Sequence, residues 1–159
     1  MTLDDILEAK GATIYTIGPE ATLQEVTEEL VRRNVGSLLI CQRDAGAGEQ
    51  LVGILTERDI LHVCASGRGS LNSLAAKDVM TTRLITASPQ DSVDDAMGLM
   101  TAHRIRHLPV LSNGRLVGLV SIGDVVKAQH DRLALENHFM KSYIRGGEGN
   151  AECRMMNAE

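Results

Sequence analysis

Aromatic side chains are almost missing from this sequence. Of 159 residues none is tryptophan, and Tyr15, Phe139 and Tyr143 are the whole aromatic complement. A platform that stacks single-stranded bases needs several aromatic faces, so that class of function is disfavoured. A core, if one forms, has to be aliphatic, and Val, Leu, Ile, Ala and Met are plentiful enough to make one. Excess positive charge is lacking too. The formal net charge is −5, whereas a protein that grips a phosphate backbone presents a basic face; the one basic cluster is residues 103–107. Cysteine is scarce and scattered. Cys41, Cys64 and Cys153 form no Cys-x-x-Cys, which argues against a disulfide framework or a zinc site and suits a reducing compartment. Cys41 and Cys64 read as small core residues and Cys153 as part of a loose tail. No apolar run approaches the ~20 residues that span a bilayer, and the first residues, including Asp4 and Asp5, are acidic rather than a basic leader. The expectation is a soluble cytoplasmic protein with no nucleic-acid and no membrane partner.

What the sequence does contain is a copy of itself. Pro19 aligns with Pro89, Leu23 with Val93, Leu30 with Met100 and Ile40 with Val110, each pair 70 residues apart. Farther along, Gly53 aligns with Gly118, Thr56 with Ser121 and Asp59 with Asp124, now 65 apart. The first copy is therefore longer by five residues, which fall in the polar, glycine-containing stretch 43–50 and read as a surface loop. Each copy opens with a short strand (residues 13–16 or 84–86) and a proline turn. An amphipathic helix follows, apolar at Leu23, Val26 and Leu30 or at Val93, Ala96, Met97 and Met100. Thr22-x-x-Glu25 and Ser92-x-x-Asp95 open these helices as capping boxes. A hairpin comes next, residues 37–41 with 51–55 or 107–111 with 116–120, the second turning at Asn113-Gly114, a dipeptide suited to positive φ. A second helix starts at Glu57 or Ile122.

The fold class is thus mixed α+β: a β-α-β-β-α unit, twice, as two small sheets packed together, since one unit of roughly 60 residues buries too little surface to stand comfortably alone. The first copy spans residues 3–66 and the second 67–128. Residues 129–145 read as a closing helix and 146–159 as a disordered tail.

Two strings carry a resemblance. Residues 52–60, with Gly53, Thr56 and Asp59, and residues 117–125, with Gly118, Ser121 and Asp124, both fit a Gly-apolar-apolar-[Thr/Ser]-x-x-Asp-apolar signature. Residues 78–81 and 105–110 fit two further segments. In these the chain resembles tandem CBS-domain pairs, most of all the free-standing bacterial proteins with no attached enzyme or transporter. The resemblance implies binding of an adenine ligand (AMP, ADP, ATP, NAD(H) or S-adenosylmethionine), a homodimer of two pairs, and no required cofactor.

Physical chemistry supports one motif directly. Ser121 ends a strand and Asp124 lies in the first turn of the next helix, whose N-terminus favours phosphate; a carboxylate can accept hydrogen bonds from both ribose hydroxyls. Ile122 and Gly123 between them add no charge. Thr56 and Asp59 repeat the pattern with Glu57 and Arg58 between, where Glu57 repels and Arg58 attracts phosphate, so the Ser121/Asp124 cleft ranks first. By the resemblance, Lys10, Gly11, Ala12, Val35 and Gly36 wall the adenine of that cleft and Arg106 reaches phosphate; Met80 and Ile105 wall the second. The same Thr/Ser-x-x-Asp pattern is also a plain helix cap, and Arg106 and His107 also read as a solvated edge. His103 and His107 straddle a helix end and a strand, which does not suit a metal. No phosphate loop with lysine, nucleophile elbow or His-Glu-x-x-His is present. The expected function is a regulatory nucleotide sensor that is not an enzyme, with a ligand-free dimerisation scaffold as the alternative.

Overall fold

The computed structural model describes residues 1–11, 13–44, 46 and 48–156, and side-chain surroundings as far as residue 146. In chain order the elements are α1 (Leu3–Lys10), β1 (Thr16–Ile17), α2 (Leu23–Arg33), β2 (Ser37–Asp44), β3 (Gly48–Thr56), α3 (Glu57–Ser66), α4 (Ala76–Val79), α5 (Val93–His103), β4 (His107–Ser112), β5 (Arg115–Ser121) and α6 (Ile122–Met156).

The two copies fold alike because their local signals are alike. In α2 the Thr22 hydroxyl accepts from the Glu25 N–H while the Glu25 carboxylate accepts from the Thr22 N–H. In α5 the Ser92 hydroxyl caps the Asp95 N–H, with no return bond from Asp95. Both helices stop at a left-handed residue, Asn34 or Arg104, and bury one apolar stripe: Leu23, Val26 and Leu30, or Val93, Ala96 and Met100. The hairpins pair antiparallel, Ser37 opposite Thr56 and His107 opposite Ser121, and each carries an irregularity at the same place, Ile40/Cys41 and Val110/Leu111. Asn113 and Gly114 turn the second hairpin at φ 52° and 76°, as their pairing predicts.

Several expectations change. The opening strand of the first copy is only Thr16–Ile17, parallel to β2, and residues 13–15 are not strand. In the second copy residues 84–86 form no strand; Ala87 alone bridges to Val110. The stretch 43–50 is not a loop throughout: β2 and β3 pair out to Asp44 and Gly48, so the extra residues lengthen a hairpin. Cys41 is buried but Cys64 is exposed, not a core residue. The closing helix is the end of one long α6, which continues from 146 to Met156 where a disordered tail was expected; residues 157–159 lie outside the described residues.

The cores do not follow the sequence boundaries. Leu3, Ile6 and Leu7 of α1 are buried with Val93, Ala96, Leu108, Val110 and Val120, in the core of the second copy. Ala76 of α4, with Leu71, Leu74, Val79 and Met80, belongs to the core of the first, among Leu23, Val26, Ile40 and Leu55. Backbone bonds fix both exchanges: the Leu3 N–H donates to the Asp91 carbonyl at 2.9 Å and the Ala76 N–H to the Ala21 carbonyl at 2.7 Å. Each leading segment thus crosses to the other copy.

Candidate functional site

Two pseudo-equivalent helix starts result from this arrangement. At the start of α6 the Ser121 hydroxyl accepts from the Asp124 N–H at 3.2 Å, and Asp124 Oδ2 accepts from the Ser121 N–H at 2.9 Å. The Ile122 N–H donates to the Arg106 carbonyl at 2.8 Å. The start of α3 repeats this with Thr56 and Asp59, and its Glu57 N–H donates to the Gly36 carbonyl at 3.0 Å. A helix leaves four N–H groups without intrahelical partners. Here three of the four are taken in each case. Among the described residues only the Gly123 N–H and the Arg58 N–H are left over, so the helix start is a single-donor site rather than an open row of donors.

The exchanged α1 makes the two starts unequal. Lys10 Nζ lies 2.8 Å from Asp124 Oδ2 and donates to the Leu119 carbonyl at the same distance. Sequence separates Lys10 from Asp124 by more than a hundred residues, and the crossing of α1 brings them together. Burial pushes the Asp124 carboxyl up, but Lys10 and the Ser121 N–H outweigh it and hold it below the usual 3.8. It is therefore ionised at neutral pH, its side chain about a quarter exposed (24%), with Oδ1 bonded to no described residue. Asp59 has no such cation; its Oδ2 accepts only from Thr56.

The remaining candidates are distributed as follows. Val35 is half-buried against the first core and Ile105 against the second. Gly36 lies beside the Glu57 carboxylate, to which an added Cβ would come within 3.7 Å. Arg106 and Arg58 are exposed, and the described structure gives neither side chain a partner. Met80 covers Gly53, where a Cβ would lie 2.5 Å from its sulfur. Ala12 lies outside the described residues.

The sequence reading of His107 as part of a solvated edge does not hold. It is half-buried, opposite Ser121. Burial lowers its imidazole below 6.5, and the charges of Glu57, Lys10, Arg106 and Asp124 all act on it. Those charges come from both copies, so His107 marks where the two helix starts approach each other; its pseudo-equivalent Ser37, itself buried, is the only clue the sequence holds. Two cavities lie elsewhere. One of about 560 Å³ is lined by Ile14, Thr16, Cys41, Glu49, Arg115 and Leu116. The other, about 490 Å³, is lined by Leu7, Gly11, Pro89 and their neighbours. Neither includes Asp124 or Asp59. The first contains a thiol that burial and the Glu49 charge push up to about 11, which leaves it protonated and unreactive at neutral pH.

A family model for the CBS domain matches residues 12–66 and again 76–131. The chain belongs to the CBS-domain family. It carries the domain as a tandem pair, and the second match begins at α4, where the crossing segment starts. The chain is 36% identical to the mitochondrial CBS domain-containing protein CBSX3 of Arabidopsis thaliana over 153 residues, covering 92% of this chain and 73% of that one. Among solved structures, the CBS-domain containing protein ATU1752 from Agrobacterium tumefaciens is 33% identical with a TM-score of 0.73, over 81% of this chain and 99% of that one. The CBS pair of MJ0100, solved in complex with 5′-methylthioadenosine and S-adenosyl-L-methionine, is 26% identical with a TM-score of 0.70, over 83% and 98%. The mixed α+β fold with two small sheets is that of these pairs. No helix among the described residues is long and apolar enough to cross a membrane, and the described residues hold no group of three or more metal-ligating side chains.

Proposed function

We propose that this CBS pair is a regulatory module that binds an adenine nucleotide at the start of α6 and signals the binding to a partner. The single observation that carries this is Asp124: an ionised, part-buried carboxylate, held by Lys10 from the exchanged helix, with Oδ1 available to ribose hydroxyls beside the spare Gly123 N–H. A ligand there that also reaches Val35 and Gly36 of the first copy bridges the two copies, so it can favour one angle between them; only such a difference in affinity between two states lets binding act as a signal. Lys10 and Arg106 near this site suit a phosphate-bearing ligand (AMP, ADP, ATP or NAD(H)) or the carboxylate end of S-adenosylmethionine. The start of α3, with Glu57 in place of Ile122 and no lysine on Asp59, is the weaker second site. The groups present recognise rather than break bonds, and a nucleotide bound here is released unchanged. We read the working form as a homodimer in a reducing, cytoplasmic setting.

Thermal unfolding with a panel of nucleotides tests this. A ligand at ~100 times its dissociation constant adds about 2.7 kcal/mol, a shift of roughly 5–10 °C for a chain this size. The shift should be confined to adenine compounds and lost in Asp124→Ala, which stays folded because its caps face solvent in part. A shift that survives in Asp124→Ala overturns the site. No shift with any adenine compound overturns the sensor and leaves a ligand-free dimerisation scaffold.

A further inference from the structure

The last contacts of α6 with the body are at its second and third turns. Val125 is fully buried, Gln129 Nε2 donates to Asp94 Oδ1 at 3.2 Å and Arg132 reaches the same carboxylate at 3.8 Å. Every residue from Asp131 to Gly146 is exposed, yet the composition of that stretch is not that of a solvated helix. Leu133, Leu135, Phe139, Met140, Tyr143 and Ile144 are between 57% and 83% exposed.

At about 100° per residue these side chains are ordered, not scattered. Val126, Leu133, Met140 and Ile144 fall on one line within roughly 40° of each other, the first three at the seven-residue spacing of a helix–helix seam. Leu135, Phe139 and Tyr143 fall on the adjoining line, which continues the side that carries Val125 and Ala128 over the core. Together they cover roughly half the circumference, while Lys127, His130, Asp131, His138 and Lys141 occupy the other half. The six exposed side chains present on the order of 600 Å² of apolar surface, at the top of the ~300–600 Å² that monomers leave open and close to the ~800 Å² each partner contributes to a standard interface.

We propose that the part of α6 beyond Gln129 is the docking surface for a second copy of this chain, helix against helix. The proposal rests on the homodimer reading and goes beyond it in placing the contact. Each copy carries the same unpaired apolar arc, so one two-fold contact removes both from water, which is the self-complementary case. The arc also runs without a break into Ile122 and Val126 on the body, 40% and 54% exposed. A membrane surface fits less well. Gln129 and Glu136 stand in the middle of the arc, and a chain of net charge −5 is repelled by anionic lipid.

Sedimentation of the full chain decides it, run alongside Phe139→Asp/Met140→Asp and, as a control on the opposite face, His138→Asp/Lys141→Asp. The expected result is a wild-type dimer at micromolar concentration, weakened at least ~100-fold by the first double variant and little by the control. All four positions are exposed, so circular dichroism should show both variants folded. A wild-type monomer overturns this proposal and the homodimer reading together. A wild-type dimer that Phe139→Asp/Met140→Asp leaves intact overturns only the placement on α6. A wild-type monomer that co-sediments with vesicles of one-third phosphatidylserine assigns the arc to membrane instead.

Discussion

At His107 charges from the two copies meet. Burial is the largest influence on it and disfavours the charged ring; Lys10 and Arg106 act in the same direction, and Glu57 and Asp124 oppose them. Its folded pKa lies below the ordinary 6.5. A depressed value means the unfolded chain takes up a proton first as pH falls, so the stability His107 contributes is present above pH 6.5 and is lost as pH drops from there through the folded value. Asp124 acts in a separate window: its lowered carboxyl contributes stability that is lost only as pH falls below 3.8. Urea midpoints measured between pH 7.5 and pH 5.5 should therefore decline in the wild type and decline less in His107→Gln. Equal declines would show that the imidazole titrates alike in both states. The sequence placed His107 at the mouth of a strand but gave no sign of its surroundings, because burial and four charges from four separate segments create them.

Glycine at the middle of β3 and β5 is an element-scale feature. The signature strings contain Gly53 and Gly118 for a steric reason that only the exchanged segments explain. A Cβ on Gly118 would lie 2.4 Å from one Leu7 methyl and 3.1 Å from Leu7 Cγ, and one on Gly53 would lie 2.5 Å from the Met80 sulfur and 3.1 Å from its Cβ. In both cases more than the side chain's far end is in the way, so the crossing segment has to move. Gly118→Ala should cost about 1–3 kcal/mol by overpacking. Leu7→Ala alone should cost about 2–5 kcal/mol by leaving a cavity. The two together should cost less than their sum, since the added methyl enters the space Leu7 vacates. Strict additivity in guanidinium denaturation would mean that α1 does not lie on β5 in solution. Most elements were legible beforehand: the caps at Thr22 and Ser92, the apolar stripes and the Asn113-Gly114 turn all act within a few residues. The opening strands were not, because a two-residue strand is held by its parallel neighbour β2 rather than by any pattern of its own.

At the scale of the whole molecule, the exchange of α1 and α4 decides how the copies depend on each other. Leu3 is fully buried in the core of the second copy, although in sequence it opens the first. Leu3→Ala should cost about 2–5 kcal/mol, and the loss should appear first in the second sheet. Hydrogen exchange should show β4 and β5 losing more protection than β2 and β3. The reverse pattern would place α1 on the copy it adjoins in sequence. The same exchange delivers Lys10 to Asp124 and makes two similar helix starts unequal, so the asymmetry between the sites is a property of the pair and not of either repeat.

The sequence by itself determined the duplication, the β-α-β-β-α unit, the family and the Thr/Ser-x-x-Asp pairs, because each is written in neighbouring residues through periodicity, capping and turn chemistry. Tertiary structure alone decided which core each leading segment joins, why a side chain at the signature glycines would displace the crossing segments, which aspartate receives a lysine, and that α6 outruns the body with an exposed apolar face as far as Ile144. Those depend on contacts between residues far apart in the chain. Burial of apolar surface drives such contacts without regard to sequence order, and a local pattern cannot say which of two similar cores will take the segment.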